Sequence, residues 1–592
     1  MSDRSPYDDE VIEVTEVSET PRHDDEVSGA PRVDRRRAIA AVAGAGVAVA
    51  VATHLPGNTG NLGGFGLGRP RAAARRPSDG GAFANRDDSY AQSSGRLMDA
   101  AKVEPPTLLF ASASEAAAGT RVTVPTILAT DDPVVHLLRR TTHGPTPALV
   151  ADVHAQGIDA WLDAQLAPES LDDAEADAAW AAFPLASADG PTLRASLPRY
   201  SWDGAIDYGR ATLARQIWSQ RQLYEVMVDF WANHLNVATP SPGMWDVGGP
   251  YQRDVIRANA LGSYTDMLVA SARHPAMLHY LTGVWSTRQS VNENYGRELL
   301  ELHTVGVGSG YSEDDVRNSA YILTGRTVVV GDQGPGVVNT FLYDPAKHWT
   351  GPVRVLDFAH DNATPEGGLE LGDAYIRHLA GLPATAQTIA RKLAVRFVAD
   401  VPPQTLVDRL AQAYLDSGTA IVPVLRVLFR SAEFWAAVGQ KVRRPAENVV
   451  ASVRVLGVRP GADTRKGVDG FYQWCTGMGH RPLAWIAPNG YPDVQAAWRS
   501  ASGYLGAWNV HRHLMTNWAQ GLTYVPPEQI GADQPRDTVD QYVDALCRTL
   551  CLQTFQPPHR DALIAFVGAD PVSKVLTELI PLVLDSPYFS LR

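Results

Sequence analysis

The strongest constraint on this chain is a helical period in its apolar residues, sustained from about residue 133 onward and interrupted by short breaks. In TAQTIARKLAVRFVADVPPQTLVDRLAQAYLDSGTAIVPVLRVLFRSAEFW, residues 385–435, three such runs are separated by Pro402–Pro403 and by DSGT. Proline fixes φ and lacks the N–H that a helix interior needs, so the pair starts the second helix and does not lie within one. Turns this short make successive helices antiparallel neighbours. In LARQIWSQRQLYEVMVDFWANHLNV, residues 213–237, Leu223, Met227, Phe230 and His234 follow one another at spacings of three and four. Strand signals are sparse: TVVVG near 327 and GVVNTFLYD near 337 predict a single hairpin. The expected fold is mostly α, a multi-helical array of antiparallel helices with a small β-hairpin insertion. No repeat of fixed period supports a solenoid.

Ahead of this body lie two segments of different character. Residues 1–55 are an acidic tail followed by a signal-like segment. Ten Asp and Glu against Arg4, Arg22 and Arg32 make residues 1–32 strongly negative. They lead into DRRRAIAAVAGAGVAVAVATHLPG, where Arg35–Arg37 precede a weakly hydrophobic run of small residues. That order is the order of a secretory signal, and of a twin-arginine signal in particular, with cleavage expected near Ala50–Ala52. A membrane anchor needs roughly 20 apolar residues, and His54, Pro56 and Gly57 end this run early. Residues 56–130, rich in Gly, Pro and Ala, read as a disordered linker. The helical body is expected over 131–592. Export is therefore the expected localisation, with no stable membrane span after processing.

Composition excludes some functions. The net charge of -13 and a pI near 5.7, with no basic stripe, argue against nucleic-acid binding. Three cysteines are too few for a disulfide framework. Cys547 and Cys551 share a helix face and are expected as small buried side chains. The chain has no H-E-x-x-H, G-x-S-x-G, Walker or Rossmann signature.

Polar chemistry concentrates in VNENYGRELLELHTVGVGSGYSEDDVRNSAYILTGR, residues 291–326. If 293–305 is one helix, Asn294, Arg297, Glu298 and Glu301 share an arc of about 100°. On a surface helix that stripe is an ion-paired, solvated face. On a buried helix, carboxylates one turn apart must be paired or hold a cation. Such a pair suits a hard divalent metal, or divides acid and base roles between its members. Ser312 is placed as an N-cap with acids in the first turn after it, and Gly325 as the stop. His234 on its apolar face, His348 in FLYDPAKHWTG, and Tyr491, Asp493 and Trp498 in APNGYPDVQAAW are further candidates for a shell or a pocket wall.

At these stretches the chain resembles the bacterial family called domain of unknown function 1800 (DUF1800). The resemblance is carried by LLRRTTHGPTPALVADVHAQGIDAWLDAQLAP, MVDFWANHLNV, HPAMLHYLTG, NENYGRELLELHTVGVGSGYSEDDVRNSAYILTG, IARKLAVRFVAD, KVRRPAENVV and PNGYPDVQAAW, in that order. It implies an exported, mostly helical protein, often encoded beside a sulfatase-like partner, and it draws attention to Asn292, Glu293, Asn294, Arg297, Glu298, Glu301 and His234. It supplies no reaction. Two functions are expected from the residues. One is metal-assisted hydrolysis, with Glu298 and Glu301 as metal ligands or acid/base pair, Asn294 and Arg297 orienting substrate, and His234 or His348 completing the shell. The other is a non-catalytic binding or assembly role for another exported protein.

Overall fold

A computed structural model describes residues 128–592, apart from 242, 332–336 and 518. The acidic tail, the signal-like segment and nearly all of the expected linker lie outside the described residues. The body is mostly α, as expected, with two small two-stranded antiparallel sheets.

Local chemistry sets the helix ends. Pro383–Phe397 and Gln404–Asp416 pack side by side, with Pro403 as N-cap of the second, and Ile421–Phe429 follows after a short turn. Ser312 caps Glu313–Leu323 in a capping box: its side chain accepts from the Asp315 N–H, and Asp315 accepts from the Ser312 N–H at 2.7 Å. The chain then turns at Gly325, φ +84°. The expected hairpin exists, with Arg326–Val328 pairing Phe341–Tyr343. A second pair, Val353–Val355 with Phe358–His360, was not expected from the sequence. Its strands are three residues each, too short to show a period.

The helix expected over 293–305 runs without a break over 294–303, but it begins as an α-helix, Asn294–Glu298, and continues as a π-helical turn, Leu299–His303. The wider turn takes in Thr304, whose hydroxyl donates to the Leu299 carbonyl at 2.6 Å. Gly296 lies against Glu313–Leu323 so closely that a Cβ would stand 2.7 Å from the Ala320 nitrogen. This contact fixes the acidic stripe relative to the helix that follows it.

The apolar interior forms two clusters. One draws on residues 134–437, the other on Leu128, the region 176–218 and the region 446–591. Leu483 packs against both. Cys475, Cys547 and Cys551 are free and buried. No helix among the described residues is long and apolar enough to cross a membrane.

Candidate functional site

Where the two apolar clusters meet, a cavity lined by both polar and apolar side chains opens, with about 660 Å³ of atom-free space counting its mouth. Tyr208 comes from Asp203–Trp218, Asp229 from Gln222–His234, Gln252 from a second π-helical turn, and Glu447 from Pro445–Val455. A fifth wall is the loop around His480–Tyr491, held by two asparagines. Asn233 donates to the Tyr491 carbonyl at 2.7 Å and accepts from the Tyr491 N–H at 2.6 Å. Asn236 donates to the carbonyls of Trp485 and Ala487 at 3.0 and 2.8 Å. Gly490 has φ +73°, and a Cβ there would stand 2.1 Å from the Asn233 carbonyl oxygen, so only glycine fits beneath the clamp.

An ion network backs the cavity. Glu447 accepts from Arg396 Nη1 at 2.6 Å, Arg444 Nη2 at 3.0 Å, the Arg444 N–H at 2.9 Å, and Arg592 Nη1. Asp229 accepts from Arg444 Nη2 and stands 3.6 Å from Arg396. Lys441 bridges Asp400 at 2.7 Å and Asp493 at 3.4 Å. Burial alone would raise the Glu447 carboxyl, but Arg444, Arg592 and Arg396 together hold it well below the usual carboxylate range. Arg396, Arg444, Arg592 and Lys441 thus match Asp229, Glu447, Asp493 and Asp400 in charge.

The groups left unpaired at the cavity are neutral, or donate from an already matched cation. His143 Nε2, both polar atoms of the Gln252 amide, and Arg444 Nε are buried without a hydrogen-bond partner. Tyr208 Oη closes no hydrogen bond either, although the Arg257 guanidinium stands close. Burial lowers His143 to about 4, outweighing nearby Asp229, and lowers His480 to about 3 with help from Arg444, so both imidazoles are neutral at pH 7. A buried polar group without a partner is costly, and the residues that carry these groups line one space.

Of the residues singled out from the sequence, Tyr491 lines the cavity and Asp493 belongs to its ion network, whereas Asn294, Arg297, Glu298, Glu301, His234 and His348 lie outside the lining and are not gathered into one cluster. Arg297 pairs with Glu313 at 2.6 and 3.0 Å and stands 3.6 Å from both Glu293 and Glu301, on a half-buried, ion-paired helix face. Beside it Glu298 is raised to about 7, by burial first and then by Glu301, with Arg297 opposing. The Asn294 side chain donates to the Leu281 carbonyl at 3.1 Å. His348 is buried, with its ring nitrogens 2.9 Å from the Thr324 carbonyl and 2.9 Å from Asn362 Oδ1. His234 belongs to a buried chain of defined direction. The Lys392 ammonium, 2.8 Å away, can only donate, so His234 Nδ1 accepts. Its Nε2–H then donates to Tyr264 Oη at 2.8 Å, and Tyr264 donates to the His303 carbonyl. Among the described residues, no three His, Cys, Asp or Glu side chains stand together in position to hold a metal ion.

The model of the family described as protein of unknown function, DUF1800, matches residues 136–591. The chain belongs to this family. No curated protein and no solved structure matches it. Within this DUF1800 chain, the stretches that carried the resemblance divide between two places. MVDFWANHLNV, KVRRPAENVV and PNGYPDVQAAW build the cavity and its ion network, whereas NENYGRELLELHT forms the acidic stripe. Sequence spacing missed His143, Tyr208, Asp229, Gln252, Arg444, Glu447 and His480. One signal was present: Glu225 and Asp229 stand one turn apart within an otherwise apolar stretch, and buried carboxylates need partners.

Proposed function

We propose that the protein binds an uncharged, hydroxyl-rich ligand, a polyol or a sugar unit, in the cavity between the two apolar clusters. The supporting observation is that Gln252 and His143, whose side chains carry buried, unpartnered polar atoms, line a space whose carboxylates are already neutralised. An amide, a neutral imidazole and a guanidinium N–H offer donors and acceptors together, the pattern a hydroxyl satisfies from either side. Hydroxyls also replace cavity water at little enthalpic cost. The apolar rings and methyls of Tyr491, Val228 and Leu483 suit the C–H faces of such a ligand. The test is calorimetric titration with a panel of uncharged polyols and disaccharides, with gluconate and glucosamine as charged comparisons. Saturable binding of an uncharged member, weakened at least tenfold by Gln252→Leu, supports the reading. Binding that Gln252→Leu leaves unchanged refutes it.

A second reading, acid/base hydrolysis at Glu298 and Glu301, is favoured by one observation: two adjacent carboxyls of which one is held near 7. Its metal-assisted form has a divalent cation on the pair, with Asn294 and Arg297 toward substrate. Elemental analysis of the wild type against Glu298→Ala/Glu301→Ala tests it, and equal metal content in both contradicts the metal-assisted form. Export through the Arg35–Arg37 segment is proposed as the setting for either reading. It is checked by fusing residues 1–55 to a reporter and comparing Arg36→Lys/Arg37→Lys.

A further inference from the structure

A second cleft backs onto the first. Val442, Arg443, Pro445 and Asn448 line it from one side of the segment whose Arg444, Ala446 and Glu447 line the cavity, so one helix start is the wall between the two. The cleft holds about 480 Å³ of atom-free space counting its mouth. Three of its lining residues are aromatic. Tyr504 and Trp508 are one turn apart on Ala501–Met515, with Gly503 and Ala507 beside them leaving the face shallow. Trp498 is held from behind, its indole donating to the Pro492 carbonyl at 2.8 Å and stacking on His480 at 4.8 Å.

The charges here are not matched as they are in the cavity. Asp585 lines the cleft, but its carboxylate is taken by His511 Nδ1 at 2.6 Å, and His511 Nε2 faces Asn448 Oδ1 at 2.9 Å. Arg443 has no such partner. Its guanidinium lies 4.7 Å over the Phe589 ring and spends one donor on the Leu591 carbonyl at 3.1 Å. Among the described residues no carboxylate comes within ion-pairing distance of it. Burial, and then neighbouring Arg139, lower Arg443 to about 9, and the opposing effects of Cys551 and Glu447 do not offset them. A bound anion would.

We propose that this cleft is a site for a planar organic carboxylate, with the carboxylate on Arg443 and the flat body among Trp498, Tyr504 and Trp508. A guanidinium with free N–H groups matches a carboxylate in a fork geometry, and flat rings pack by offset or edge contact. The reading is independent of the ligand proposed for the cavity. The experiment is calorimetric titration of the full chain with benzoate and with benzamide, its uncharged counterpart of the same shape. Saturable benzoate binding at least tenfold tighter than benzamide binding is expected. In Arg443→Gln, benzoate should fall to the benzamide level while benzamide is unchanged. Equal affinity for the two compounds in the wild type overturns the proposal, as does the lack of saturable benzoate binding in the millimolar range. So does full benzoate affinity in folded Arg443→Gln. The wild-type comparison decides the matter even if that variant fails to fold.

Discussion

Glu447→Gln is the perturbation that most sharply tests the ion network behind the cavity. The side chain is 5% exposed and accepts from three guanidiniums and from the Arg444 N–H at the start of Pro445–Val455. Glutamine keeps the shape but replaces one acceptor oxygen with an NH2 group that points donors at donors. Removing one partner of a buried ion pair typically costs about 3–5 kcal/mol, since the remaining charge is left uncompensated. The capping-box acceptor at the Arg444 N–H is put at risk as well, a contribution of about 1 kcal/mol that overlaps this range. The assay is urea denaturation at pH 7, followed by far-UV circular dichroism and by tryptophan fluorescence. The expected result is a loss of about 3–5 kcal/mol with coincident transitions. Glu313→Gln, which breaks an exposed pair with Arg297, is the control and should leave the midpoint unchanged. A Glu447→Gln midpoint equal to the control's would refute the claim that this network is a buried, charge-coupled unit.

Three further outcomes are expected. Glu447, Asp229 and Asp493 are each held below the ordinary carboxylate range by arginine or lysine, against the opposing effect of burial. Their stabilisation is therefore present above the unfolded values near about 4 and is lost as pH falls below them. A pH series of urea midpoints should fall steeply below pH 4, and a flat profile down to pH 3 counts against the assignment. Glu298 has the opposite sign: its folded value of about 7 lies above the unfolded one, so its ionisation costs stability as pH rises from 5 to 8. Glu298→Gln should flatten that slope and gain on the wild type above pH 7, and an unchanged slope sinks the idea. Gly490→Ala forces a left-handed backbone, worth about 1–2 kcal/mol, and a collision with Asn233. It should destabilise the fold and weaken polyol binding together, and wild-type behaviour in both would mean the clamp does not shape the cavity.

What the sequence made legible was local. Pro402–Pro403, Ser312 and Gly325 act on the backbone within a few residues of themselves, and each stands at the helix boundary its chemistry implies. The π-turn at Leu299–His303 was not legible, because Leu299, Leu300, Leu302 and His303 satisfy an α period equally well and only the packing of Gly296 on Ala320 shows where that piece sits. The strand pair at Val353–His360 is set by one tight turn with Leu356 at φ +54°, an arrangement that three-residue strands cannot advertise. The cavity was hidden for a different reason. His143, Tyr208, Gln252, Glu447 and His480 are drawn from five segments far apart in the chain, and no short-range spacing relates them. The stripe at Asn294–Glu301 was conspicuous because its members are sequence neighbours, which says nothing of whether they share a cavity.

The affinity of the tightest uncharged polyol, measured between pH 5 and pH 9, decides whether the cavity receives it. The groups proposed to receive it do not titrate in that window: His143 is neutral above about 4, the Gln252 amide does not ionise, and Asp229 and Glu447 stay ionised. The affinity constant should therefore stay within twofold across the range. A tenfold step centred near pH 7 would contradict it.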